Sequence, residues 1–295
     1  TAADTAEADA KCAALSQRAL DGWFHLSPGS ATQIGEHKYD GELDDLSSAG
    51  RQKGLDFGKK ILSELDALDA STLSRENQVD AAILRNQLQY DVWGSETLQS
   101  WAWDPQMYSG LAGGAIYNLM AREFAPLPDR IRSATARMEK IPALLAQARE
   151  NLDPARVPKI HAETVAKQNS GVLSIVDMFI APHLTDLPQA DRERAEKAIA
   201  GLKSAVAEHQ QWLDKTLVPK AKGDFRVGAK VYDQKLQVAL LSSLSRADIK
   251  QRAEGELKRV REAMYAIART VLKDKAGAPA MPDAPDDAQQ QKAIE

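Results

Sequence analysis

The densest group of reactive side chains lies between two glycines, Gly35 and Gly41, where His37, Tyr39 and Asp40 follow closely on one another. Imidazole, phenol and carboxylate groups share hydrogen bonds at neutral pH, so this trio could transfer a proton or bind a ligand. The same residues could equally satisfy one another and the ends of neighbouring helices. Because glycines favour turns, the pattern predicts a short turn between two helices that is either a site or a polar anchor.

A second candidate group follows Pro219, where Gly223 and Gly228 enclose a short segment containing Arg226, and Tyr232 comes one turn later. Glycine allows close backbone approach and tyrosine supplies a hydrogen-bond donor, which would suit the wall of a binding cleft. Packing alone would explain both residue types. The cleft-lining candidates of the chain are listed together here: His37, Tyr39, Asp40, Arg226, Gly228 and Tyr232.

The chain lacks the recognisable motifs of hydrolytic catalysis. A helical zinc hydrolase needs two histidines four residues apart with a glutamate beside the first, because this spacing points both imidazoles at one metal. No two of the five histidines have that spacing, and His161 and Glu163 would point to different sides of a helix. Nucleophile motifs and phosphate-binding loops are also missing. The sequence therefore predicts no catalytic residue, no metal ligand and no cofactor within this chain.

The elements that must position these groups are helices, since apolar residues recur at helical spacing and strand alternation is nowhere sustained. The pattern predicts an all-α bundle of about eight or nine long helices. A helical domain is expected over residues 6–274, after a linker at 1–5 and before a linker-like tail at 275–295.

Several helices are predicted individually. Residues 6–24 are predicted to form the first, with Leu15, Ala19 and Trp23 on its apolar stripe. Ser74 is expected to cap another, whose inward residues are Val79, Ile83, Leu84, Leu88 and Trp93. One helix with a kink at Pro142 is predicted over 131–152, and one more over 159–180. A last long helix begins at Ser245 and is expected to pair Glu254 with Lys258 on its outer face. Its predicted buried face is Ile249, Ala253, Leu257, Val260, Met264, Ile267 and Val271.

The segment from Trp101 to Ala125 carries aromatic residues and a Gly113–Gly114 pair, and is expected to be an aromatic-rich loop that leads into a helix. Such a loop can line a binding groove or form a packed connection.

Composition excludes several classes of partner. With 38 basic and 42 acidic residues and a net charge of −4, the chain lacks the basic field that drives nucleic-acid binding. Its apolar runs are too short to span a bilayer. The 43% hydrophobic content predicts a globular protein with a substantial core.

Export is predicted from the first residues. The chain starts at Thr1 in an Ala/Thr/Asp/Glu-rich segment typical of the linker left after a signal peptide is removed, so a periplasmic or secreted location is expected. The single cysteine, Cys12, is not preceded by a lipobox-like Leu and small residues, and is interpreted as a packed helical residue rather than a lipid anchor.

The ordered set of motifs resembles the amino-terminal half of the bacterial proteins grouped as domain of unknown function 885, which are similar to helical zinc metallopeptidases of the gluzincin type. The matching residues are Ala31, Thr32, Gly35, Glu36, His37, Lys38, Tyr39, Asp40, Leu43, Ser47, Arg137, Ile141, Pro142, Leu145, Ala148–Leu152, Trp212, Leu213, Pro219, Gly223, Phe225, Gly228, Tyr232 and Leu236.

This resemblance implies a longer protein. Members of the family carry a His-Glu-x-x-His helix in a part that would follow Glu295, so the resemblance implies zinc and a peptide substrate for the full-length protein and a missing carboxy-terminal half as the partner of this chain. The present chain would then be one wall of a metallopeptidase-like cleft, a fragment that is inactive alone. A large exposed apolar patch is expected where the missing half docks.

Another interpretation is a non-catalytic periplasmic helical module that binds a peptide or a protein partner. The Gly35-x-His37-x-x-Asp40 pattern is similar to the Gly-x-His-x-x-Glu signature of imelysin-like proteins, although here Asp replaces Glu. The two interpretations differ in whether the reading frame continues into His-Glu-x-x-His.

Overall fold

The computed structural model describes residues 2–295, with side chains from residue 3 onward, and this part of the chain is an all-α fold. One isolated bridge between Pro158 and Gly223 is the only β-type pairing among these residues. The helices are α1 (Ala2–Leu26), α2 (Pro28–Ile34), α3 (Ser48–Asp66), α4 (Arg75–Trp93), α5 (Ser100–Trp103), α6 (Pro105–Met120), α7 (Leu127–Met138), α8 (Ile141–Asn151), α9 (Lys159–Gln168), α10 (Gly171–Phe179), α11 (Gln189–Trp212), α12 (Val218–Lys220), α13 (Ala229–Leu240), α14 (Arg246–Leu272) and α15 (Asp287–Ile294).

The chain divides into two compact units, one ending at Tyr232 and the other comprising Asp233–Glu295. The larger unit contains α1–α12 and both groups of candidate site residues. The smaller unit is built mainly from α14 and α15. Residues 2–5, predicted as a linker, lie within α1, and residues 287–294 of the predicted tail form α15.

The main core of the larger unit surrounds α6, whose small residues let other helices approach closely. Ala112 and Ala115 are buried, and a Cβ on Gly113 would lie 3.5 Å from the side chain of Ile175 on α10. Large apolar side chains of α7, α8 and α11 complete this core, with Ile131, Leu144 and Leu202 almost fully buried. Burial of each such side chain is worth about 1.5–3 kcal/mol relative to leaving it exposed.

A second core joins α1, α3 and α4. The buried stripe of α1 contains Cys12, Leu15 and Ala19, which pack against Ile61 and Leu65 of α3. The prediction of Leu15 and Ala19 on an apolar stripe is confirmed, whereas Trp23, one step further, is partly exposed. On α4 the predicted inward position Leu88 is confirmed as buried and Leu84 packs against this core, whereas Val79 and Ile83 are exposed and Ala81 is buried in addition.

The helix starts predicted from capping residues are confirmed at Ser74 and Ser245. The hydroxyl of Ser74 accepts a hydrogen bond from the backbone N–H of Asn77, and Ser245 forms a complete capping box with Asp248. Both satisfy backbone donors that a helix leaves unpaired in its first turn.

The long helix predicted over 131–152 is wrong, because the chain breaks at Glu139 and Lys140 into α7 and α8. Pro142 lacks the N–H that would bond to the carbonyl of Met138, and it occupies the first turn of α8, where such a donor is not needed. Proline therefore starts a helix here rather than kinking one.

The helix predicted over 159–180 is likewise two helices, α9 and α10, separated at Asn169 and Ser170. The buried side-chain amide of Asn169 donates to the carbonyl of Val206 and to Gln210 on α11, both at 3.0 Å. These contacts with another helix anchor the chain at the break.

The predicted aromatic-rich loop after Trp101 is mostly helical. Trp101 lies on the short helix α5, and Asp104 caps α6, in which Pro105 is the first residue. The ring of Trp101 is covered by the guanidinium of Arg51, 3.9 Å from the ring centroid. Ala102 and Tyr108 of this segment are buried, and the binding-groove interpretation stays a prediction.

The buried face predicted for α14 is wrong. Leu257, Val260, Met264, Ile267 and Val271 are all exposed, and the buried residue of this helix is Tyr265 on a neighbouring side. The predicted Glu254–Lys258 pair is replaced by pairs from Lys250 to Glu254 and from Lys258 to Glu262.

No helix in the part of the chain that the structure describes is both long and apolar enough to cross a membrane.

Candidate functional site

The predicted turn after α2 begins at Gly35, which ends that helix in the left-handed conformation (φ +97°). This conformation favours glycine, because a Cβ would crowd the backbone. The N–H of Glu36 still donates to the carbonyl of Ala31, at 2.9 Å, so the chain folds back immediately. His37 thereby starts a tight turn in which the N–H of Asp40 donates to its carbonyl at 3.4 Å, and a second turn follows in which the N–H of Glu42 donates to the carbonyl of Tyr39.

His37 and Asp40 are brought together as the sequence predicted. The imidazole Nδ1 lies 2.9 Å from a carboxylate oxygen of Asp40. The ring of His37 also stacks on Phe124, with ring centroids 3.6 Å apart and planes inclined by 10°. The His37 side chain remains 34% exposed. An ordered imidazole with one nitrogen bonded to a carboxylate can act as a base or hold a ligand through the other nitrogen.

Asp40 connects this imidazole to a buried arginine. The hydroxyl of Thr32 donates to Asp40 at 2.6 Å and accepts from the guanidinium of Arg137, also at 2.6 Å. The resulting chain runs from Arg137 through Thr32 and Asp40 to His37. Its inner members are buried, so the arrangement is held rigidly from the core side.

Arg137 is fully buried and ties the turn to α6 and α7. Its guanidinium donates to the carbonyls of Glu42, Ala115 and Pro28, at 2.8 to 3.1 Å. Burial lowers the pKa of this guanidinium, whereas the carboxylates of Asp40, Asp44 and Glu42 raise it. The group stays charged because the pKa of an arginine is so far above neutrality.

Asp44 is a second acid of this region, and it is partly buried. Burial raises the pKa of its carboxyl, although the backbone N–H of Gly29 donates to it at 3.0 Å and the charge of Arg137 opposes the shift. The positive charge of Arg137 thus interacts with several acids after α2, namely Asp40, Glu42 and Asp44. These interactions hold the turn against α7.

Tyr39 points to a different neighbour. Its ring lies 5.5 Å from that of His25 at the end of α1, and the ammonium of Lys38 is 5.5 Å from its centroid. Tyr39 is thus beside the His37–Asp40 pair in the chain and contacts α1 instead.

The second predicted group is exposed. The guanidinium of Arg226 lies over the ring of Phe225 at 4.4 Å and pairs with Asp224 at 3.4 Å. Gly228 has φ +82°, and its carbonyl accepts from the N–H of Tyr232 in the first turn of α13. Among the described residues, no hydrogen bond, ion pair or ring contact joins this group to the one around His37.

Arg137, Thr32 and Phe124 belong to the first group but were not predicted as site residues. Arg137 and Thr32 entered only as motif matches, and Phe124 did not enter at all. A signal for Arg137 was present: Arg130 and Arg137 are two helical turns apart and lie on the apolar side of α7. A charged residue on an apolar face indicates a buried polar network.

A third polar group lies where α8 and α11 meet. His209 is 6% exposed, stacks on Trp212, and has an Nδ1 atom with no hydrogen-bond partner. Burial lowers the pKa of His209 to about 4, and the charge of Arg149 lowers it further in the same direction. Beside it is a cavity of about 30 Å³, also lined by Asn169 and Ser109, which is large enough for a water molecule.

None of these three groups offers a metal site. Within residues 2–295 no three His, Cys, Asp or Glu side chains are gathered so that they could hold a metal ion. The zinc that the family resemblance implies therefore finds no fitting ligand set in the described residues, and no catalytic step is derived through it.

Comparison with protein families identifies the chain. A family model described as "Bacterial protein of unknown function (DUF885)" matches residues 28–294. The chain belongs to the DUF885 family. No curated protein matches this DUF885 chain.

A solved structure described as "a putative lipoprotein of unknown function from Shewanella oneidensis" is similar to the DUF885 chain. The two share 30% identity with a TM-score of 0.79, over 96% of this chain and 51% of the other. The DUF885 chain thus spans about half the length of that protein.

Proposed function

We propose that this chain is the amino-terminal, substrate-groove half of an exported, zinc-dependent peptidase-like hydrolase and is inactive by itself. The observation that carries the proposal is the half-length match: nearly all of this chain aligns with about half of a similar protein. A unit that corresponds to part of a longer relative is expected to contribute part of a site, and the family resemblance supplies the chemistry of that site.

The residues of this chain would bind and orient a peptide. The ring of His37 is held by Asp40 and Phe124 yet stays partly exposed. Arg226 and Tyr232 are exposed on either side of Gly228, whose φ is positive. Imidazole, guanidinium and phenol groups suit the carbonyls and carboxylate of a peptide. When bound in the other half, zinc would supply a metal-activated water.

Rigid support is the main contribution of the buried network. Arg137 and Thr32 fix Asp40, and Asp40 fixes the orientation of His37. Preorganised polar groups bind a substrate more tightly because less conformational freedom is lost on binding.

The description of the similar structure as a lipoprotein supports export of this chain as well.

The test compares the 295-residue chain with the longer protein encoded by its complete reading frame. We expect stoichiometric zinc and hydrolysis of unstructured peptides only in the longer protein, provided that its frame runs on into His-Glu-x-x-His. Substitution of the glutamate of that motif would serve as the matched inactive control, because it removes the general base while leaving the histidine ligands.

Two results would overturn the proposal. Stoichiometric zinc and peptidase activity in the 295-residue chain would show that it contains its own active site. Absence of both from the longer protein would remove the enzyme interpretation.

A non-catalytic helical module that binds a peptide or a protein partner is the second candidate. The observation that favours it is the completeness of internal bonding around Asp40, whose two carboxylate oxygens are engaged by Thr32 and His37. Such a network suits a rigid binding surface. A reading frame that ends at Glu295, with tight peptide binding and no turnover, would support this candidate.

A further inference from the structure

The longest helix of the described residues, α14, carries an apolar stripe that is exposed along its length. We call this the outer stripe, and its members are Leu257, Val260, Met264, Ile267 and Val271. They are 37–63% exposed and follow one another at alternating three- and four-residue steps. This is the heptad spacing with which one helix packs against another.

The neighbouring side of α14 is already covered by the rest of its own unit. The hydroxyl of Tyr265 donates to the carbonyl of Pro282 at 2.8 Å, Arg269 pairs with Asp283, and Arg261 donates to Gln291. Tyr265 is 5% exposed. The helix is therefore anchored on one side, and the outer stripe is a second apolar side that stays exposed within the described part of the chain.

Small residues flank the outer stripe. Ala263 lies beside it on one edge and Ala268 on the other, so a second helix could approach α14 closely. Exposed apolar patches of this regularity mark interaction sites, since an ordinary solvated helix face carries charged residues instead.

We propose that the outer stripe is the docking surface for helices of the polypeptide that follows Glu295 in the longer protein. The inference rests on the proposed function, namely that this chain is the amino-terminal half. The similar structure contains about as much chain again as the part that this chain matches, enough to supply such helices.

The course of the chain places the continuation close by. After α14 the backbone returns along the helix, with Asp283 beside Arg269 and Gln291 beside Arg261. This return leads towards the amino-terminal end of the outer stripe. Residues that continue from Glu295 would thus need only a short connection to pack on Leu257 and Val260.

The accessibility of single cysteines tests the inference without any measurement of activity or zinc. Ile267→Cys places a thiol on the outer stripe, and Ala266→Cys places a matched thiol on the preceding residue, turned away from the stripe. Cys12 is fully buried, and the unsubstituted chain measures its background labelling. Maleimide labelling is followed in the 295-residue chain and in the longer protein, with circular dichroism confirming that each variant is folded.

We expect both thiols to react rapidly in the 295-residue chain. In the longer protein the thiol at 267 should react at least about tenfold more slowly, whereas the thiol at 266 should not. This result would stand even if the longer protein proved to lack zinc and peptidase activity, so the two proposals fail separately.

Equal labelling of position 267 in both proteins would overturn the inference. Slow labelling already in the 295-residue chain, together with a dimer by light scattering, would also overturn it, because a second copy would then cover the outer stripe. As a second variant, Ile267→Glu should lower the melting temperature of the longer protein and leave that of the 295-residue chain unchanged.

Discussion

The guanidinium of Arg137, on α7, donates a 2.6 Å hydrogen bond to the hydroxyl of Thr32, on α2, across 105 residues of sequence. The same hydroxyl of Thr32 donates to the carboxylate of Asp40, and the other oxygen of that carboxylate is hydrogen-bonded to the imidazole of His37. Arg137 therefore attaches the polar turn after α2 to the main core from inside, and Lys140 adds a 2.7 Å hydrogen bond to the carbonyl of Gly41.

Arg137→Met tests this attachment. The substitution keeps much of the apolar volume but removes a buried charge and leaves Asp40 and Asp44 without their cation, so we expect a loss of about 3–5 kcal/mol in the free energy of unfolding. Urea titration followed by circular dichroism measures it. Arg132→Met, on the exposed side of the same helix, is the matched control and should change stability little. Equal stability of the two variants would contradict the anchoring role.

His37→Ala separates support from function. The change removes the hydrogen bond to Asp40 and the stacking on Phe124, and should destabilise the 295-residue chain by about 1–2 kcal/mol. In the longer protein we expect a raised KM for peptide, because the proposal places His37 on the groove. His183→Ala, at an exposed histidine, is the control. A loss of stability with unchanged turnover of the folded fraction would leave His37 purely structural.

Features that depend on only a few neighbouring residues, such as helix caps and turns, could be predicted from the sequence. Ser74 and Ser245 were predicted as caps because the bond that each accepts comes from a residue three positions later. The His37–Asp40 pair was predictable for the same reason, since both side chains lie in one turn.

Contacts between distant segments were not predictable from spacing. The helical spacing of apolar residues over 131–152 continues through the break at Lys140, because the apolar residues of α7 and those of α8 are both buried in the main core. The spacing alone therefore does not reveal the break. Thr32 and Arg137 are on different helices, and only the fold brings them together. On α14 the period correctly predicted an apolar face but could not show whether this chain covers it.

Gly223→Ala tests the crossing of two segments before α13. A Cβ at this position would lie 1.9 Å from the carbonyl oxygen of Arg156, a backbone atom that cannot move aside easily, and the N–H of Gly223 donates to Val157 at 2.9 Å. We expect a loss of about 1–3 kcal/mol by thermal or chemical unfolding. The control is Gly201→Ala within α11, where a Cβ meets nothing within 4 Å. It should stabilise the chain by about 0.5–1 kcal/mol, because alanine is the better helix former.

The pH dependence of stability should report on His209. Its pKa falls from 6.5 to about 4 on folding, because the ring is buried and faces the charge of Arg149. Between pH 6.5 and about 4, His209 is therefore protonated in the unfolded chain but neutral in the folded chain. The free energy of unfolding falls as the pH falls through this range. The loss should reach about 3 kcal/mol.

Urea unfolding at a series of pH values measures this loss. His209→Gln should flatten the profile between pH 6.5 and about 4 by about the same amount, since glutamine takes up no proton. His183→Gln, at an exposed position, serves as the matched control and should retain the acid-side loss. An identical slope in the parent chain and in His209→Gln would assign the acid sensitivity to other groups and refute the neutral, buried state of His209.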